Sequence, residues 1–145
     1  MAADAKAPRR LDLRNDIADL DRLSTFVQAI AEEEKLNSDQ LFAVGLCLEE
    51  AVTNVIRHGG IEDESGRPIS VTVLSGAPDL AFCLEDVGRP FDPTTAVPPP
   101  VATSLEDAPV GGLGIPLMRK MTCDMSYERR DGRNRLILRF GPVGS

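Results

Sequence analysis

The sequence predicts an α/β (α+β) two-layer sandwich, in which three helices cover one face of a mostly antiparallel mixed sheet of about five strands. Strand-like alternation and helical spacing occur in the order strand, helix, helix, two strands, helix, two strands. Short turns join the later strands in pairs, which favours antiparallel pairing. The 145 residues suit one hydrophobic core, so we expect a single domain over residues 9–145 and a mobile N-terminus over residues 1–8.

The first two elements are a strand and a helix. Leu11 and Leu13 alternate with polar residues, which predicts a short edge strand. Asn15 or Asp16 then caps a helix, because short polar side chains accept hydrogen bonds from the first free N–H groups. The apolar face predicted for this helix consists of Ile17, Leu20, Leu23, Val27 and Ile30.

A second helix, capped by Asn37 or Ser38, carries two different faces. It ends at residues 59–60, where two glycines stop helical spacing. At 3.6 residues per turn, the face predicted to be buried consists of Leu41, Gly45, Leu48, Val52 and Val55. The opposite face is predicted to present Cys47, Glu50, Asn54 and His58.

Two hairpins are predicted in the second half of the chain. In the first, residues 69–73 and 80–85 are strands that a Gly-Ala-Pro-Asp turn joins. In the second, residues 125–130 and 134–140 pair across Asp131-Gly132, a favoured tight turn. The sequence therefore supplies four strands in addition to the first.

Between the hairpins lie a long loop and the third helix. Residues 93–109 contain five prolines and little periodicity, which is typical of a lid or binding loop, here placed at residues 92–110. A Gly-Gly-Leu-Gly segment then opens a helix whose shared face is predicted to hold Leu113, Leu117 and Met121. Pro116 is compatible with a helix only in its first turn, which places the helix start close to the glycines.

Composition excludes several classes of function. The formal net charge of −7 and the absence of Trp argue against phosphate-backbone or single-strand nucleic-acid binding. A local run of Arg129, Arg130, Arg133 and Arg135 could serve an acidic partner or be ordinary exposed strand charge. The three cysteines are far apart and form no zinc or disulfide pattern. Without an apolar signal or membrane-spanning run, we expect a cytoplasmic protein.

Three short motifs could carry chemistry, and each also has an ordinary structural explanation. Glu50 and Asn54, one helical turn apart, could hold a metal-bound water or orient a hydroxyl, or be solvated surface residues. The glycines at residues 111–114 could present backbone N–H groups to a phosphate, or be a hinge. Asp86, with Gly88 two residues later, could accept a hydrogen bond from an exocyclic amine, or form a turn.

Together these motifs resemble the GHKL superfamily of ATP-binding domains, whose structure is the Bergerat fold. Its N box matches Glu-Ala-Val-Thr-Asn at residues 50–54, and its glycine boxes match Asp-Val-Gly at residues 86–88 and Gly-Gly-Leu-Gly at residues 111–114. A narrower likeness is to RsbW-type anti-sigma-factor serine/threonine kinases, which share Asp-x-Gly-x-x-Phe-Asp from Asp86 and Gly-Gly-Leu-Gly-x-x-Leu-Met from Gly111. Arg89-Pro90 departs from the broader superfamily, where a second glycine is common.

The resemblance implies a role for each motif residue. Glu50 would be the general base, Asn54 would coordinate Mg²⁺ that bridges the phosphates of ATP, and Asp86 would bind the adenine amino group. Gly88 would shape the base pocket. The phosphates would be wrapped by Gly111, Gly112, Leu113 and Gly114.

The resemblance also implies a function and partners. The expected activity is phosphorylation of a Ser or Thr on a small anti-sigma-factor antagonist of the STAS type, with sequestration of a sigma factor or an equivalent protein. A homodimer is possible in such kinases, and neither nucleic acid nor membrane is an expected partner. The alternatives are a nucleotide-binding module without phosphoryl transfer and an ATPase or histidine-kinase fragment.

Overall fold

The structure is a computed structural model that describes residues 9–62, 66–95 and 114–141. The predicted mobile N-terminus, residues 96–110 of the predicted lid, and Gly111, Gly112 and Leu113 lie outside the described residues. In chain order the elements are β1 (Arg10–Leu13), a 3₁₀ turn (Ile17–Asp19), α1 (Leu20–Glu33), α2 (Ser38–His58), β2 (Ile69–Ser75), β3 (Ala81–Asp86), α3 (Gly114–Met121), β4 (Asp124–Arg130) and β5 (Arg133–Arg139).

The five strands form one sheet in the order β1-β2-β3-β5-β4. The four pairings between neighbouring strands are antiparallel, and the described residues contain no parallel pair. The predicted class, a layer of three helices on a five-stranded sheet, is confirmed. β1 is an edge strand, as the sequence predicts, and the other edge is β4.

The core lies between the helices and one face of the sheet. Alternate strand residues point into it, and they join buried residues of all three helices in a single apolar cluster. Burial of such a side chain stabilises the fold by about 1.5–3 kcal/mol, so these residues decide which face of the sheet is covered. The strand residues that are buried in this cluster are Leu13, Ile69, Val71, Phe82, Leu84, Leu136 and Leu138.

The buried face of α2 is rotated relative to the prediction. Cys47 is fully buried, although the sequence pattern placed it on the polar face with Glu50. Leu48 and Val52 are buried as predicted, whereas Leu41 and Val55 are only partly buried. The reason is that α2 contacts α1, α3 and β3, so its covered sector is wider than a single stripe.

The predicted buried faces of the other two helices also differ from those in the structure. Ile17 is 48% exposed because it lies in the 3₁₀ turn before α1, not in the helix itself. In α3, Met118 is 1% exposed and Leu117 is 37% exposed, so the predicted stripe through Leu117 is wrong. α3 packs through Met118, with Ile115 and Met121 partly buried beside it.

The predicted cap of α2 and the predicted hairpin turn are confirmed, whereas Asp16 caps the 3₁₀ turn and not α1, whose N-cap residue is Asp19. The Asn37 side chain accepts a hydrogen bond from the Gln40 N–H, and the Gln40 side chain accepts one from the Asn37 N–H, which completes a capping box. Asp131 and Gly132 join β4 to β5 with φ of 52° and 75°, as a type I′ turn requires. Gly60, with φ of 66°, turns the chain away after α2.

Asp19 connects the end of β1 to the start of α1. It is buried, and its carboxylate accepts hydrogen bonds from the Arg14 N–H at 2.8 Å and the Arg14 guanidinium at 2.9 Å. Arg22 contributes a further bond at 3.3 Å. The hydrogen bond from the Arg14 side chain is the largest of the effects that lower the pKa of Asp19 to about 2.

Asp19→Asn should lower the free energy of unfolding by about 1–2 kcal/mol at neutral pH, because the charged bonds to two partly exposed arginines are lost. The folded-state pKa lies below the ordinary value, so this stability is present above that value and is lost as the pH falls towards about 2. Urea unfolding of both proteins between pH 7 and acid pH measures the difference. The neighbouring Asp21→Asn is the control, and equal losses in the two variants would contradict the assignment.

Candidate functional site

A cavity of about 610 Å³ lies between the C-terminal half of α2, the ends of β3 and β5, and α3. This volume suits a small organic ligand. Much of its wall is apolar, with Leu84, Met118 and Leu136 among the lining side chains. Its polar lining side chains come from several elements and include Asn54, Asp86 and Asn134, with Arg57, His58, Arg89 and Tyr127 also in the wall.

Asp86 is the last residue of β3 and faces the core side of the sheet, in phase with Phe82 and Leu84. It is 4% exposed. Its Oδ1 accepts hydrogen bonds from the Gly88 N–H at 2.8 Å and from the Asn134 amide at 3.0 Å. Among the residues that the structure describes, no donor reaches Oδ2, so a hydrogen-bond acceptor remains available to a ligand in the cavity.

The pKa of the Asp86 carboxyl group is raised above its ordinary value. Burial raises the pKa of its carboxyl group, while the Asn134 and Gly88 hydrogen bonds and the nearby positive charge of Arg129 oppose that rise. A buried carboxylate with one oxygen fixed and the other open is suited to bind a neutral N–H donor such as an amine on a ring.

Asn134 is a site residue that the sequence analysis missed. It lies directly opposite Asp86 in the β3–β5 register and is buried. Its amide donates to the Arg89 carbonyl at 2.8 Å, and its carbonyl oxygen accepts from the Tyr127 hydroxyl and, at 3.4 Å, from the Phe91 N–H. A signal was present in the sequence, because Asn134 is the polar member of an inward-facing series that continues with Leu136 and Leu138.

Gly88 fits against the end of α2. A Cβ atom at this position would lie 2.8 Å from the Gly59 carbonyl oxygen and 2.9 Å from Asp86 Oδ1. The same carbonyl accepts a hydrogen bond from the Arg89 N–H at 2.8 Å. The turn after β3 is therefore held directly on the helix end, with no room for a side chain between them.

Gly88→Ala should destabilise the protein by roughly 1–3 kcal/mol, because the added methyl group meets backbone and carboxylate atoms that cannot easily move. Chemical unfolding at neutral pH is the measurement. Gly45→Ala is the matched control, since its Cβ would meet its nearest neighbour, a Val27 methyl group, at 3.9 Å. We expect the control to be neutral or slightly stabilising within α2. Unchanged stability of Gly88→Ala would show that the turn adapts.

Asn54 and Glu50 occupy successive turns of α2 but differ in their relation to the cavity. Asn54 is half-buried and lines it. Glu50 is also half-buried, but it does not belong to the cavity wall. Its charge contributes, after burial, to raising the pKa of Cys47 to about 11. The structure therefore brings Asn54 and Asp86 to one cavity and leaves Glu50 one turn away on the same helix.

The glycine segment is described only at its last residue. Gly114 begins α3, and Ile115 and Met118 of that helix line the cavity. Arg119, also in α3, donates to the carbonyl oxygens of Pro93 and Thr94 at 3.0 and 2.9 Å, which holds the start of the predicted lid against the helix. Both chain segments that flank residues 96–113 therefore meet at the cavity.

The described residues lack two other kinds of feature. Within residues 9–62, 66–95 and 114–141, no group of three or more His, Cys, Asp or Glu side chains is arranged to hold a metal ion. Over the same ranges, no helix combines the length and apolar character that crossing a membrane requires.

Comparison with known families assigns the fold to a class of ATPase domains. Residues 13–140 match the model of the family described as histidine kinase-like ATPase domain, so the chain belongs to this family. It is also 36% identical over 115 residues to the serine/threonine-protein kinase BtrW of Bordetella bronchiseptica, across 78% of this chain and 79% of that protein. The resemblance to RsbW-like members of the GHKL superfamily is thereby confirmed.

A solved structure supports the fold. The structure of the RsbU and RsbW domains of Rv1364c from Mycobacterium tuberculosis superposes with a TM-score of 0.68 over 94% of this chain, at 11% sequence identity. This chain spans 32% of the length of that protein. At such low identity the superposition shows a shared architecture.

Proposed function

We propose that this protein is an ATP- and Mg²⁺-dependent serine/threonine protein kinase that acts in a partner-switching system. Membership of a histidine kinase-like ATPase family and the identity to a named serine/threonine kinase support the proposal. The observation that carries it is the buried Asp86 carboxylate, which lines the cavity and whose Oδ2 receives no hydrogen bond from the described residues.

Asp86 would select adenine over guanine. The exocyclic amine of adenine donates a hydrogen bond, which Oδ2 can accept, whereas guanine presents a carbonyl oxygen at the equivalent ring position. A buried carboxylate that faces an acceptor loses its hydrogen bond and gains repulsion, so discrimination should be large. The missing side chain at Gly88 leaves the turn close to Gly59, beside the space for the ring.

The phosphate end would be formed by α2 and the glycine segment. Asn54 would offer its carbonyl oxygen to Mg²⁺, which neutralises charge on the phosphates when it is bound. Backbone N–H groups of Gly111, Gly112, Leu113 and Gly114 would bind the phosphates at the start of α3. Glu50 would accept the proton of the attacking Ser or Thr hydroxyl while the γ-phosphoryl group moves to that oxygen and ADP leaves.

The partners follow from the resemblance to anti-sigma-factor kinases. The acceptor would be a Ser or Thr of a small STAS-type antagonist, and a sigma factor or equivalent regulator would compete with it for this protein. A homodimer is part of the same proposal.

The exposed residues Arg57, His58 and Phe91 lie in the cavity wall, which leaves an entry by which nucleotide could exchange between rounds of phosphoryl transfer.

The first experiment is thermal stabilisation by nucleotides with and without Mg²⁺. ATP at about a hundred times its dissociation constant should add about 2.7 kcal/mol to the free energy of unfolding, and GTP at the same concentration should add far less. Equal stabilisation by GTP, or none by ATP, would contradict the assignment of the cavity.

A nucleotide-binding module without phosphoryl transfer is the second candidate, because Glu50 does not belong to the cavity wall. Incubation with γ-labelled ATP and a series of STAS-domain antagonists separates the two functions. Label on an antagonist Ser or Thr supports the kinase, and tight ATP binding without label on any antagonist supports the module.

A further inference from the structure

Arg129 joins the outer hairpin to the turn that carries Asp86 and Gly88. It is the penultimate residue of β4, an edge strand that is separated from β3 by β5. Its Nη1 donates to the Gly88 carbonyl oxygen at 2.8 Å, across 41 positions of the chain. The side chain therefore reaches over β5, past its directly paired residue Asn134, to the cavity turn.

The Asn134 amide cannot donate a full hydrogen bond to every acceptor that it approaches in the turn of residues 86–89. Its amide nitrogen lies near three acceptors, at 2.8 Å from the Arg89 carbonyl, 3.0 Å from Asp86 Oδ1 and 3.4 Å from the Gly88 carbonyl. A side-chain amide has two hydrogens, and the two shorter contacts use both of them. The Gly88 carbonyl therefore depends on Arg129 for a full hydrogen bond.

The charge of Arg129 also acts on Asp86. Its positive charge opposes the effect of burial, which raises the pKa of the Asp86 carboxyl group. The Asn134 amide and the Gly88 N–H hydrogen-bond to this carboxylate, and the basic side chains of Arg57, His58 and Arg89 line the same cavity. Arg129 thus combines a fixed hydrogen bond to the turn with a charge that favours the ionised carboxylate.

The neighbouring arginines of the hairpin do not share this contact. Arg130 forms long ion pairs with Glu128 and Asp131, at 3.8 and 4.0 Å, and Arg135 bonds to Glu85 and Glu128. Alternation places both on the sheet face opposite Arg129. Arg129 is therefore directed to the turn after β3, whereas Arg130 and Arg135 are directed to the other face of the sheet.

We propose that Arg129 is a positioning residue of the nucleotide site, which fixes the Asp86–Arg89 turn through the Gly88 carbonyl and so prepares Asp86 to bind the base. The proposal rests on the proposed function for its ligand and on the Gly88 contact for its geometry. Loss of Arg129 should weaken binding of the base. Because adenosine and ATP share this base, their affinities should fall by the same factor.

The variants are Arg129→Met, which keeps the length and apolar stem, Arg129→Lys, which keeps the charge, and the control Arg130→Met. Calorimetry with ATP and with adenosine should give dissociation constants raised about tenfold for both ligands in Arg129→Met, as loss of one charged hydrogen bond predicts. Arg129→Lys should recover part of the affinity. Arg130→Met should bind as the wild type does.

A second measurement does not need a nucleotide. Carbon-13 NMR of the Asp86 carboxyl group in the free protein should show a higher pKa in Arg129→Met than in the wild type, and no change in Arg130→Met. Wild-type affinity together with an unchanged Asp86 titration in Arg129→Met would overturn the proposal, as would equal losses in Arg130→Met or a loss for ATP alone. If the wild type binds no adenine nucleotide, the proposed function fails, and the titration alone decides whether Arg129 acts on Asp86.

Discussion

Asp86→Asn is expected to weaken ATP binding about a hundredfold or more, because it places a donor where the adenine amine needs an acceptor. The asparagine oxygen can still accept the bonds from Gly88 and Asn134 that Oδ1 accepts in the wild type. Its amide nitrogen then replaces Oδ2 and faces the amine of the base, donor against donor. Calorimetric titration with ATP and Mg²⁺ is the measurement.

The same variant should remain folded, which separates recognition from stability. Burial raises the pKa of Asp86 in the folded protein, so its contribution to stability is fully present below the ordinary carboxyl pKa and is lost as the pH rises through the higher folded-state pKa. The substituted amide does not titrate, so at neutral pH the variant should be at least as stable as the wild type. Asp131→Asn, at the exposed hairpin tip, is the matched control and should bind ATP normally. Normal binding by Asp86→Asn would remove the carboxylate from base recognition.

Glu50→Gln is expected to lower the rate of phosphoryl transfer to an antagonist by about 10²- to 10⁴-fold, the usual contribution of a general base. The change keeps the shape of the side chain and removes its ability to take a proton. Because Glu50 does not line the cavity, ATP affinity should stay close to that of the wild type. Single-turnover transfer from labelled ATP, with nucleotide binding measured in parallel, tests both parts.

Glu49→Gln provides the control for this experiment. Glu49 is the preceding residue of α2, is exposed, and points about a quarter turn away from Glu50. We expect it to transfer phosphate at the wild-type rate. A Glu50→Gln protein with unchanged transfer would exclude Glu50 as the base, and a loss of ATP affinity equal to the loss of rate would assign it to binding instead.

The fold could be predicted largely from local patterns. The edge strand, the capping box at Asn37 and the tight turn at Asp131-Gly132 all depend on neighbouring residues in the sequence, and all three are present. The buried faces of the helices were predicted less well. Cys47 and Met118 are buried because each helix meets several elements at once, and a single apolar stripe does not represent such contacts.

The residues of the candidate site were also predicted only in part. Asp86 and Asn54 were found from short motifs and line one cavity in the structure. Asn134, Tyr127 and Arg129 were missed, although their side chains hold or border the turn at Asp86. The contacts of Arg129 and Asn134 to that turn span more than 40 residues of the chain, so no local spacing could reveal them.

The sequence by itself determined which elements form, in what order, and which residue types with binding chemistry lie at the ends of α2 and β3. Hydrogen bonds within a few residues, glycine conformation and apolar periodicity are sufficient for that. The tertiary structure alone decided that Asn134 sits opposite Asp86, that Arg129 reaches Gly88, and that Glu50 stands apart from the cavity. Strand order and helix packing set these distances, because they bring together side chains whose positions along the chain carry no record of their contact.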